Sequence, residues 1–194
     1  MSISFRGRVA TLALSTFAAL ALAPAAHAAD CGMPTSKPFA PWLDYSSYTL
    51  LPGGDFEGGV LPWSLVGASV TNGNESFQVS GPGTSSLSIP RGATATSPAF
   101  CGGLDHPTLR LFAKGGGLLG LLSVNVTYVD SQSVLRSQSL GVVTASSSWR
   151  PSLPLLTLSG LPIVTGSSMR ITLTAIGGDF SVDDVYVDPY AKRL

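Results

Sequence analysis

The sequence predicts an all-β protein: a two-sheet antiparallel β-sandwich of the jelly-roll kind, with an extended N-terminal arm. Three observations predict it. From Leu50 onward the chain is rich in Gly, Ser, Thr and Val and poor in helix formers, and turn signals recur about every ten residues. Several segments alternate apolar and polar residues with a period of two, the signature of a strand with one buried face. The two ends of the body also carry matching acidic marks, LPGGDFEGG over 51–59 and GDFSVDDVYVDPY over 178–190. Carboxylates on the first and last strands meet only if the fold brings its ends together, and hard oxygen ligands meeting there suit a calcium ion.

Residues 1–28 read as a signal peptide. Arg6 and Arg8 are followed by an apolar run from Val9 to Ala23 and then by Ala26-His27-Ala28, a small-x-small cleavage signature. The run stops at Pro24 and falls short of the roughly 20 apolar residues that a spanning helix needs. The expectation is a secreted, extracellular chain with no membrane span after signal removal. Asp30 before Cys31 argues against lipidation. Taking away residues 1–28 leaves 166 residues, enough for one domain with its own core. Lys and Arg number 11, as do Asp and Glu, so losing Arg6 and Arg8 leaves a slight acidic excess without a basic cluster. Nucleic acid is thereby excluded as a partner, because phosphate contacts need concentrated Lys and Arg.

The only cysteines are Cys31 and Cys101, and an even pair in an exported chain reads as a disulfide. Two free thiols or a metal pair are the competing readings, although no His or Cys cluster accompanies them. Residues 29–48 hold Pro34, Pro38 and Pro41 with Trp42 and Tyr45 among them, which argues for an arm rather than a helix. The disulfide would strap this arm to the body, with Trp42 packed across one sandwich edge. The body spans 49–190, and 191–194 form a tail.

Within the body the clearest strand places Leu122, Val124, Val126 and Tyr128 on one face and Ser123, Asn125 and Thr127 on the other. Met169, Ile171, Leu173 and Ala175 repeat the pattern, as do Leu109, Leu111 and Ala113 against Arg110, Phe112 and Lys114. Further strands are expected over 64–70, 75–80, 86–89, 134–140, 153–158 and 180–187. Gly115-Gly116-Gly117 marks a turn. About nine short strands point to a jelly roll. An immunoglobulin-type sandwich is the alternative, but Cys31 lies in the arm before any strand and not in a core strand facing a central tryptophan.

The frame GGDFEGG followed by Trp63, then Trp149 before a late strand, then SVDDVYVDP, resembles the galactose-binding-like jelly rolls used as carbohydrate-binding modules. The resemblance covers 51–189. It implies a binding or structural module, and a structural calcium held by a glutamate after the aromatic of the first strand and an aspartate of the last. Those positions are Glu57 and Asp183 here, with Asp55 and Asp184 as further candidates. The bland reading is that Asp183 and Asp184 cap a strand or pair with Arg170 or Arg193. KPFAPWLDYSSY, SPAFCGGLDHPTLRLFAK and DDVYVDPY together also resemble a group of secreted bacterial proteins with no established activity.

A sugar site needs aromatic faces for the apolar side of the ring and fixed polar groups for its hydroxyls. The outward phase of the strands offers Arg110, Phe112, Asn125 and Arg136, with Thr127 and Gln138 beside them. Phe112 falls between Arg110 and Lys114 and reads as an exposed platform, although a single exposed aromatic is ordinary. Trp63 and Trp149 read as core. Asn74-Glu75-Ser76 and Asn125-Val126-Thr127 match the N-glycan acceptor pattern, which matters only in a glycosylating host. Catalysis is not expected: His106 is the one histidine after residue 28, Asp105-His106 reads as a local turn, and no GxSxG elbow is present. Glu57 and Glu75 are the only glutamates, too few for a glycosidase pair once Glu57 is given to the metal. The expected function is a non-catalytic module for carbohydrate or cell-surface glycan. The alternative is an envelope-associated structural or adhesive protein that binds other proteins.

Overall fold

The computed structural model describes residues 34–188 with the exception of 59–61, 103–107, 116, 118, 131 and 157–166. Residues 1–28, Cys31, Asp105, His106, Arg193 and the tail 191–194 therefore lie outside the described residues.

Among the described residues a 3-10 turn, Ala40–Trp42, precedes thirteen strands. In chain order these are β1 (Thr49–Leu50), β2 (Ser64–Val66), β3 (Ser69–Asn72), β4 (Ser85–Ile89), β5 (Thr94–Thr96), β6 (Phe100–Gly102), β7 (Thr108–Gly115), β8 (Leu121–Val129), β9 (Leu135–Val143), β10 (Arg150–Pro151), β11 (Leu155–Leu156), β12 (Ser167–Ile176) and β13 (Phe180–Asp188). All pairings between them are antiparallel. One sheet runs β10-β7-β13-β4-β3, with β1 on β13 and β11 on β7; the other runs β2-β5-β12-β8-β9, with β6 on β12. The jelly-roll sandwich is thus observed.

Its interior follows the two-residue period. Leu122, Val124, Val126 and Tyr128 from β8 meet Met169, Ile171, Leu173 and Ala175 from β12 in register, and both rows face Leu109, Leu111 and Ala113 of β7 in the same core cluster. Trp63 is interior too, against Phe56, with its indole N–H donating to Pro52 O at 3.1 Å. First and last strands lie side by side, Thr49 opposite Val187 and Leu50 opposite Tyr186.

Three expectations are corrected, and a fourth, the disulfide, falls partly outside the described residues. Residues 75–80 form turns and not a strand, because the Glu75 carboxylate takes the N–H groups of Phe77 and Val79 that a ladder would have used. The expected strand over 64–70 is split by Gly67, with β2 and β3 in different sheets. Cys101 stands in β6 opposite Ser168; its expected partner Cys31 is not among the described residues. The arm, finally, is not a straight strap. It folds back on itself, Ser36 and Tyr48 exchanging both N–H···O bonds at 2.8 Å, around the turn at Pro41.

That folded arm lies on the outer face of the β7–β13 sheet and not across an edge. Phe39 stacks on Phe112 at 5.6 Å and meets Tyr48 and Tyr186 edge-on at 5.0 and 5.6 Å. Trp42 and Phe77 close over Phe112 at 5.4 and 5.7 Å. A second apolar cluster results, made of Phe39, Tyr48, Phe112, Trp149 and Tyr186. Trp149 is buried as expected, but in this outer layer and not between the sheets. Phe112 is 0% exposed. Replacing it by alanine should therefore cost about 3–5 kcal/mol, as for a core phenylalanine, which urea unfolding monitored by tryptophan fluorescence measures; a surface platform would cost under about 0.5 kcal/mol.

Candidate functional site

The last strand creates the first chemically unusual place. On β13 Asp183 is opposite Phe112 and Tyr186 is opposite Arg110, so two residues, Asp184 and Val185, face the single Leu111 of β7. This is a β-bulge. Strict alternation would send Asp184 inward; the extra residue gives the core position to Val185 and leaves Asp184 at φ 51°, in the left-handed region that Asp tolerates better than most residues. The other edge of β13 is broken at the same point. β4 pairs with Phe180–Val182, β1 pairs with Tyr186 and Val187, and the turn after β1 fills the gap through Leu51 N–H to Val185 O and Val185 N–H to Gly54 O.

Glu75, Asp183 and Asp184 are buried here, 1%, 0% and 1% exposed, with Asp55 close enough to act on Asp184. Asp183 accepts from Glu75 N–H at 2.8 Å and from Asp184 N–H at 2.9 Å. Both carboxylate oxygens of Asp184 lack a hydrogen-bond partner; Ser80 dipoles draw its pKa back somewhat but do not reach bonding geometry. Burial, reinforced by the neighbouring carboxylates, pushes Asp183 up to about 8 and Asp184 up to about 6. Desolvation disfavours the charged form, and like charges add to the effect.

Among the expected metal ligands, Asp183 and Asp184 are adjacent on the bulge, with Asp55 beside them. Glu57 is engaged elsewhere. Its carboxylate accepts from the N–H groups of Thr84 and Ser85, both at 2.6 Å, and so caps the start of β4. Among the described residues no three His, Cys, Asp or Glu side chains converge as metal ligands. The unpartnered oxygens of Asp184 and the crowded carboxylates nevertheless suit a hard cation.

The expected ligand face is not assembled. Arg110 is 5% exposed: it pairs with Asp44 at 2.6 Å, donates twice to Ser152 O, and lies 4.1 Å over the Phe39 ring. Burial alone would raise the Asp44 pKa, but hydrogen bonds from Tyr48 and Arg110 outweigh it and hold the carboxyl below its usual range. Arg110 and Phe112 are therefore structural, covered by an arm whose position strand periodicity does not reveal. Asn125 lies on the opposite sheet between Thr172 and Ser139, its amide donating to Ser123 Oγ at 3.2 Å. Arg136 is opposite Tyr128 on edge strand β9, in the other phase from Asn125, and pairs with Asp130 at 2.8 Å.

The structure offers instead a groove of about 500 Å³ lined by Trp42, Ser76, Phe77, Ser148, Trp149, Arg150 and Pro151. Trp42 and Phe77 meet edge to face at 4.9 Å, and Phe77 is 47% exposed. Lys114 Nζ lies 4.8 Å from the Trp149 ring centroid. None of the three aromatics sits in a strand. The available signal was their placement beside turn residues, Pro41-Trp42, Ser76-Phe77 and Ser148-Trp149, out of phase with any ladder.

No protein-family model and no curated protein matches this sequence. Solved structures do resemble it. The tandem CBM22-1–CBM22-2 domain of Paenibacillus barcinonensis Xyn10C is 14% identical, with TM-score 0.52, over 73% of this chain and 46% of that one. The xylan-binding CBM22-1 domain from the same protein is 14% identical, with TM-score 0.50, over 70% and 91%. The chain has the jelly-roll fold of these carbohydrate-binding modules. An enzymatically active domain of tailspike protein 4 from bacteriophage CBA120 also matches, at 18% identity and TM-score 0.48, and this chain spans only 20% of it.

The acidic bulge predicts an unusual pH dependence. A carboxyl with a raised folded pKa keeps its proton after the unfolded chain has lost it. Its contribution to stability is therefore complete below the ordinary value of 3.8 and lost as pH rises through about 6 for Asp184 and about 8 for Asp183. Thermal melts in chelator should show the melting temperature falling between those limits. Asp184→Asn should remove the lower part of the fall and raise the melting temperature at pH 7.5 by roughly 2–4 °C per kcal/mol relieved.

Proposed function

We propose that this protein is a secreted, non-catalytic carbohydrate-binding module, built on a jelly roll that a calcium ion stabilises. The observation that carries the reading is the open groove between Trp42, Phe77 and Trp149. Aromatic faces take the apolar side of a sugar ring, and Ser76, Ser148 and Arg150 supply hydroxyl and guanidinium partners for its polar rim. A likeness to domains named for xylan binding supports the same reading. The walls are held by the arm and by the turns over 75–80, both anchored to a buried sheet, so the surface is preformed and little ordering opposes binding.

In this reading calcium sits at the β13 bulge, held by Asp184 with Asp183 and Asp55, and offsets charge that is otherwise buried without a partner. Glu57 would have to release Thr84 and Ser85 to join it. Residues 1–28 direct export, and Cys31 joins Cys101 to strap the arm. A second reading, an envelope-associated adhesive protein binding other proteins, is favoured by one feature. Leu43, Tyr45 and Leu153 are strongly exposed and line one groove of about 660 Å³ beside Arg110 and Thr108.

A glycan array with calcium present separates the two. The module reading expects saturable sugar binding that Phe77→Ala weakens about three- to tenfold, the worth of one aromatic stacking contact; a blank array would overturn it. Calcium should raise the melting temperature of the natural chain and not of Asp184→Asn. Equal melting of the natural chain in calcium and in chelator would remove the metal.

A further inference from the structure

The groove is unevenly charged. Arg150, exposed on the short strand β10, lines it, and among the described residues no carboxylate pairs with this guanidinium. Lys114 is held against the Trp149 indole that walls the groove, by a cation–π contact and by no ion pair among the described residues. No Asp or Glu lines the groove. The carboxylate nearest in sequence, Glu75, is turned inward and spent on the N–H groups of Phe77 and Val79, behind the loop that presents Phe77. Arg150 on the groove wall and Lys114 against Trp149, neither with a counter-charge among the described residues, make a site for a ring that also bears a negative charge.

We propose that the groove selects acidic glycans, in which a uronic acid ring stacks on the aromatic wall and its carboxylate meets Arg150, with Lys114 adding to the field. This rests on the carbohydrate-binding reading and narrows it. A neutral sugar would satisfy the rings but leave both cations without a counter-charge. A planar carboxylate matches the two-pronged donor face of the Arg150 guanidinium, which a hydroxyl cannot. A sulfated sugar would bring charge without that planar match.

The test compares oligogalacturonate and glucuronic-acid-bearing xylan fragments with their carboxyl-reduced, neutral counterparts by titration calorimetry at low and high salt. The uronate forms should bind about two- to fivefold more tightly than the reduced forms, the ratio one exposed ion pair supplies. Salt should erase that ratio. Arg150→Gln, at an exposed side chain, should remove most of the uronate-over-neutral ratio; Lys114→Met should remove a smaller part. Equal affinity for charged and reduced forms would overturn the acidic-glycan proposal and leave the module intact. Tighter binding of sulfated than of carboxylated oligosaccharides would overturn the carboxylate match, and no binding of any sugar would overturn both readings.

Discussion

Burial of Phe112 beneath the N-terminal arm is the interaction on which the outer half of this molecule depends. A sandwich sheet normally buries its inner face and leaves its outer face to water, and β7 follows that plan on its inner side with Leu109, Leu111 and Ala113. Its outer side instead carries Arg110 and Phe112, and both are covered. Phe39, Trp42 and Phe77 pack on the phenylalanine ring, while Asp44 and Ser152 absorb the guanidinium. Buried charge is tolerated because its donors are spent on a carboxylate and a carbonyl. The structure is therefore layered as two sheets plus a small aromatic cap, and the groove lies at the margin of that cap.

The β13 bulge is the second organising feature, and it has a backbone origin. β4 and β1 each cover half of one edge of the last strand, and the turn after β1 must reach into the gap between them. An extra residue in β13 accommodates the mismatch with β7 and leaves three carboxylates where water does not reach. Glu75 and Asp183 spend their oxygens on amide N–H groups; Asp184 has no such outlet. Such a site either keeps protons that free carboxyls would lose or takes up a cation, and both responses express one desolvation cost.

Much of the architecture was legible. The inner rows of β7, β8 and β12 obey alternation without exception, and of the first acidic mark Asp55, in the turn after β1, comes near Asp184 of the last strand, whereas Glu57 is taken up by Thr84 and Ser85. The outer rows were not legible, because alternation says which residues leave the core and not what then covers them. Phe112 reads as exposed until residues about 70 positions away fold onto it. Residues 75–80 read as a strand because the sequence does not reveal that Glu75 turns back onto its own neighbours' N–H groups. Arg136 and Asn125 were assigned to one face, whereas the β8–β9 register, with its irregularity after Val124, puts them in opposite phase.

Trp42 comes from the arm, Phe77 from the connection between β3 and β4, and Trp149 from the approach to β10. All three stand on linking segments, and none contributes a rung to either ladder. The walls can therefore change during evolution while the sandwich beneath keeps its strand hydrogen bonds. Because Trp42 and Phe77 touch each other and Phe112, and Trp149 lies in the same cluster as Trp42 and Phe112, such change runs through the aromatic cap as a unit.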